Sequence, residues 1–133
     1  MVRQMLVCKK IQIEKNTNKN FIQEGCVSII VEDEDISHEE IDFIVVESIA
    51  NNSQFIMIWP KSSSRLEDLI DARIEDRNIM HISTTTHGGE SANEVANFAK
   101  YAAIPDYDNF YCLVFSKPGS TRAEELIEEV VNI

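Results

Sequence analysis

A chain of 133 residues with a hydrophobic share of 44% makes one ordinary globular domain, too short for two and too apolar to stay disordered. Its formal net charge of −11 excludes unaided attachment to nucleic acid or to an anionic membrane, both of which repel a negative surface, and leaves room for a basic protein partner. No apolar run reaches the length of a membrane span, and Met1 to Met5 lack the apolar stretch and cleavage site of a secretory signal, so a cytoplasmic protein is expected.

From the N-terminus, Ile11 and Ile13 alternate with Lys10, Gln12 and Glu14, the pattern of a half-exposed strand at the edge of a sheet. The polar residues 15–20 that follow read as a flexible loop. Four short runs, residues 27–31, 55–59, 79–82 and 110–115, are apolar on both faces and predict strands covered from both sides. Four stretches match the capping box, in which a Ser or Thr and a Glu three residues on each satisfy a free backbone N–H. They begin at Ser37, Ser64, Ser91 and Thr121, each followed by apolar residues at three-and-four spacing, so each predicts an amphipathic helix. Cys8, Cys26 and Cys112 are odd in number, far apart and set among apolar neighbours, which reads as reduced core thiols.

Strand and helix alternation predicts a single α/β domain over residues 1–133. The expected form is a mostly parallel, Rossmann-like or flavodoxin-like open sheet of about five strands, with helices on both faces. The N-terminal strand lies at an edge, free to pair in either sense.

Ligands of open α/β sheets bind beyond the carboxyl ends of the strands, which gathers the candidate site residues onto one rim. Asp33 and Asp35 follow the first parallel strand, Trp59 and Lys61 the second, Thr85, Thr86, His87 and Glu90 the third, and Lys117 the fourth. The richest group, residues 83–90, brings hydroxyls, an imidazole, two glycines and a carboxylate to a helix start, where backbone N–H groups are free for an anion. No Walker-type loop, His-x-x-x-His or paired Cys spacing is present, so neither a cofactor nor a metal is expected, and no catalytic set is assigned. A polar loop that merely caps the helix would carry the same residues. So would a solvated loop at residues 32–35, and a core-covering role would explain Trp59.

Two stretches resemble a bacterial family of unknown function. One is Ile58-Trp59-Pro60, followed by Ser62, Ser63, Ser64 and Asp68. The other is Thr84-Thr85-Thr86-His87 with Glu90, then Glu94-Val95 and Phe98-Ala99-Lys100. Thr86 stands where that family has Trp and Pro60 where it has Gly. The resemblance spans residues 50–116, implies a small bacterial α/β domain, implies no activity, and points to Trp59, Thr85 and His87.

Three functions compete. The first is an acidic binding module acting as an inhibitor, immunity protein or subunit, expected from the charge and from the absence of a catalytic constellation. The second is a nucleotide or small-anion domain using the strand-end loops and Lys117. The third is a hydrolase with His87 as acid–base and Glu90 or Asp33 as partner.

Overall fold

Strand side chains point alternately to opposite faces, so a strand apolar at every position demands cover on both. The computed structural model, which describes residues 4–14, 24–103 and 109–132, shows how that demand is met. The elements run β1 (Val7–Glu14), β2 (Glu24–Val31), α1 (His38–Ala50), β3 (Phe55–Trp59), α2 (Ser64–Asp76), β4 (Ser83–Thr86), α3 (Ala92–Asn97), β5 (Asn109–Ser116) and α4 (Thr121–Asn132). A π-helical turn, Phe98–Ala102, extends α3. Val27, Ile29, Val31, Met57, Trp59, Cys112 and Val114 pack one face against α3 and α4. Cys26, Ile30, Ile56, Ile58, Leu113 and Phe115 pack the other against α1 and α2.

The expected mostly parallel, Rossmann-like sheet is corrected here. The sheet is mixed, in the order β1-β5-β2-β3-β4, with β1 antiparallel to β5 and the other three pairings parallel. The reason lies in the link from β1 to β2. Residues 15–23 are too few for the crossover of a dozen or more residues that a parallel return requires. The two strands therefore run in opposite senses, and β5 enters between them, from Val7↔Ser116 to Glu14↔Asn109 on one side and Glu24↔Asn109 to Ile30↔Phe115 on the other. The predicted loop at residues 15–20 lies outside the described residues.

A second correction concerns the third parallel strand. It is not the apolar run at residues 79–82 but the hydroxyl-rich Ser83–Thr86, paired from Phe55↔Ser83 to Ile58↔Thr86. Just past the end of α2, Asn78 takes φ 55°, and the Ile79 N–H returns to the Ile74 carbonyl, so Ile79 and Ile82 pack under the helical layer before the strand begins. At a sheet edge, β-branched threonines supply strand propensity without needing cover on both faces.

The capping boxes at Ser37–Glu40 and Ser91–Glu94 form with both hydrogen bonds present. The other two caps sit one residue earlier than expected. Ser63 Oγ accepts from the Leu66 N–H at 3.2 Å, and Ser120 Oγ accepts from the Ala123 N–H at 3.2 Å. Ser63→Ala should therefore cost about 1 kcal/mol of stability in denaturant unfolding, while Ser64→Ala costs a few tenths at most. Equal losses would contradict the assignment.

Candidate functional site

The chain steps outward from β2 to β3 to β4 and then returns to the far side of β2 for β5. The reversal opens a crevice beyond the carboxyl ends of β2 and β5, the place where open α/β sheets hold ligands. Here the chain's own charges occupy it. Lys117, just after β5, donates to the Glu40 carboxylate at 2.9 Å and to the Gln4 carbonyl oxygen, and lies 3.4 Å from Glu34. Asp33, just after β2, accepts from Ser120 Oγ at 2.6 Å and pairs with Arg122 at 3.4 Å. Glu40 is fully buried and also accepts from the N–H groups of Leu6 and Ser37, each at 3.0 Å. Burial raises its pKa, but the hydrogen bonds from Ser37, Lys117 and Leu6 outweigh that and hold it below the ordinary carboxylate value. Beside this network the described residues line a cavity of about 210 Å³, among them Lys9, Lys117, Gly119, Ser120 and Glu124. That is smaller than the roughly 300–1,000 Å³ of small-molecule pockets.

Between the two halves of the rim sits Glu32. Alternation from Ile30 turns it toward the α1–α2 face, where it is buried, and its Oε1 finds no hydrogen-bond partner among the described residues. Burial pushes its carboxyl up; Lys61 and Arg65 act against that and Asp35 with it.

The second half of the rim is built on β3, β4 and the turn after β4. The His87 N–H continues the ladder to the Ile58 carbonyl at 2.8 Å, and the Gly89 N–H reaches the Pro60 carbonyl at 3.3 Å, just past the cis Trp59–Pro60 peptide. Trp59 is buried, and its indole N–H donates to the Glu90 carbonyl at 2.7 Å. The His87 side chain is buried as well. Its Nε2 lies 2.7 Å from Thr85 Oγ1, and its Nδ1 lies 2.9 Å from Glu90 Oε2. Phe98, from the π-helical turn, meets the imidazole edge-on at 4.7 Å and rests against Phe55 at 6.0 Å.

The nine candidate residues thus divide. Asp33 and Lys117 meet at the β2–β5 crevice, while Trp59, Thr85, His87 and Glu90 meet at the β3–β4 end. Thr86 falls on the opposite face of β4 from Thr85, and Asp35 and Lys61 are exposed. Among the described residues, no three His, Cys, Asp or Glu side chains converge so as to hold a metal. The sequence alone assigns no site role to Glu40, Ser120 or Phe98 and does not reveal the burial of Glu32. Only the last had a usable signal, the period-2 alternation running on from Ile30.

A family model, described as a domain of unknown function (DUF7684), matches residues 9–132. The chain belongs to the DUF7684 family. The match runs well beyond the residues 50–116 that carry the resemblance noted in the sequence, and the family is one of unknown function, as that resemblance implied. No curated protein and no solved structure matches this chain. Within it, no described helix is long and apolar enough to cross a membrane.

Proposed function

We propose that this DUF7684 domain is a bacterial, cytoplasmic docking module that binds a basic protein through the outer face of α3 and α4, in an inhibitor, immunity or subunit role. The observation that carries this reading is the charge pattern of α4. Glu124 lies four residues before Glu128 and Glu125 four before Glu129, so like charges stack on one helix face, and no basic residue stands in the last turn. Such pairs destabilise a helix, each by about 0.2–0.5 kcal/mol, and carboxylates near the C-terminus oppose the helix dipole. The one cation of the helix, Arg122, turns away to Asp33. Glu94 adds a further exposed carboxylate on the neighbouring α3. A cationic surface laid on this face would relieve all of these repulsions together.

The acidic run at residues 32–35 supports docking less well than its sequence promised, because Asp33 and Glu34 engage Ser120, Arg122 and Lys117 within the chain. Nucleotide binding is disfavoured by the commitment of Lys117 to Glu40 and by the small cavity beside it. Three free cysteines accord with a reducing compartment.

The triple variant Glu125→Gln, Glu128→Gln, Glu129→Gln, which spares the first-turn Glu124, should move two readouts in opposite directions. Removing both like-charge pairs should raise the stability of the free domain by about 0.5–1 kcal/mol. In an NMR titration with a lysine-rich helical peptide, the wild-type shifts should map to α3 and α4, weaken with salt and largely vanish in the variant. Shifts centred on residues 32–35, or a variant that binds as the wild type does, would remove this reading.

A further inference from the structure

The hydrogen bonds around His87 have a direction. An ionised carboxylate only accepts, so Glu90 Oε2 receives the Nδ1–H of His87. Whenever the imidazole is neutral, its lone pair then lies on Nε2, and Thr85 Oγ1, 2.7 Å away, donates its proton to it. Hydroxyl, imidazole and carboxylate in this order form a nucleophile, its general base, and the group that fixes the base's tautomer. The His87 side chain is 5% exposed and its ring packs edge-on against Phe98, whereas Thr85 is only half-buried on a strand with no neighbour on its outer side among the described residues. Phe98 belongs to a π-helical turn, a backbone form that recurs at functional sites. The ladder supplies further donors. The N–H groups of Ser83 and His87 point to β3, so those of Thr84 and Thr86, one residue out of phase, point away from the sheet on either side of Thr85.

We propose that Thr85, His87 and Glu90 form an acyl-transfer centre acting on small acyl esters that reach the free edge of β4. Thr85 Oγ1 attacks the ester carbonyl carbon while its proton passes to His87 Nε2. The tetrahedral oxyanion is held by outward N–H groups of β4. It collapses with cleavage of the bond to the leaving oxygen, which takes the proton from Nε2 and departs as an alcohol. Water then attacks the acyl-threonine with the same proton relay, releasing the carboxylic acid and restoring the hydroxyl. Glu90 stays ionised throughout and acts as a positioning residue. The centre shares no residue with the docking face on α4, so either can fail without the other.

The test uses the full chain and p-nitrophenyl acetate. A burst of p-nitrophenolate approaching one per chain is expected, with the acetyl group mapped by mass spectrometry to the peptide carrying Thr85. Thr85→Val, which keeps the shape of the side chain, should abolish burst and adduct, while Thr85→Ser retains them. Glu90→Gln should slow acylation by about 10²–10⁴-fold at an unchanged melting temperature, because it favours the wrong imidazole tautomer. Acetylation confined to lysines or the N-terminus, no acetylation, or an equal burst from Thr85→Val would each overturn the proposal. If the valine variant fails to fold, adduct mapping on the wild type and on Thr85→Ser decides alone.

Discussion

Lys117→Met should unfold about 10 °C or more below the wild type at neutral pH. Glu40 is fully buried, and Lys117 supplies the positive charge that faces it at 2.9 Å. Methionine keeps the aliphatic length and removes that charge from beside a buried carboxylate. Breaking a buried pair in this way costs about 3–5 kcal/mol. The lower end applies here, because the N–H groups of Leu6 and Ser37 still solvate the anion. For a domain of this size each kcal/mol is worth roughly 3–5 °C.

The pH dependence gives the sign. In the wild type the folded pKa of Glu40 is depressed, so its contribution is present above the unfolded carboxyl value of about 4.3 and is lost as pH falls through the folded value. In the variant the carboxyl gains stability by protonating. The difference between the two proteins should therefore be largest near pH 7 and shrink steadily below about pH 4. Thermal melts across that range check it; a difference independent of pH would mean that Lys117 acts by packing and not by charge.

Gly88→Ala should destabilise by about 1–3 kcal/mol or more, although the residue is exposed. A Cβ at Gly88 would lie 1.8 Å from Ser62 Oγ, 2.8 Å from Ser62 Cβ and 2.9 Å from the Ser62 backbone N. The hydroxyl can rotate away, but the other two atoms belong to the chain path, so one of the two turns must move. The turn that moves carries the indole bond from Trp59 to Glu90 and the Glu90–His87 contact. The near-ultraviolet dichroism of the single tryptophan should change together with the melting temperature. Adding Ser62→Gly removes the Oγ and Cβ contacts and should restore part of the loss, not all of it, because the backbone contact remains. A Gly88→Ala protein that melts within a degree of the wild type would show that the two turns do not abut as described.

How far the sequence alone reaches can be judged from particular residues. The strands at residues 27–31 and 55–59 and the caps at Ser37 and Ser91 follow from local pattern, because continuous apolar runs and reciprocal capping are local chemistry. The antiparallel pairing of β1 is not legible locally, because it depends on where β5, far along the chain, inserts. Strand β4 was misplaced because Ile79 and Ile82 satisfy the same hydrophobicity test as a strand while packing beneath a helix. At the rim, the contact of Thr85, His87 and Glu90 is legible in the sequence because the three lie within six residues of chain. Glu40 was read only as a helix cap. Its second role, receiving Lys117 and Leu6, uses contacts far apart in sequence that leave no periodic trace.

The insertion of β5 between β1 and β2 also bears on how the protein is made. On a ribosome, β1 emerges before β2, yet its strand partner among the described residues is β5, which follows every other strand. Until that element appears, an alternating strand with one apolar side waits without a ladder, and β2 lacks one of its two neighbours. Non-local pairing of this kind delays folding, because the entropy of closing a long loop is lost before contacts return it. The C-terminal quarter is thus the keystone of the sheet. Chains halted before Asn109 would hold β2, β3 and β4 together at most, exposing Val27 and Ile29 along an open edge that invites association with other nascent copies.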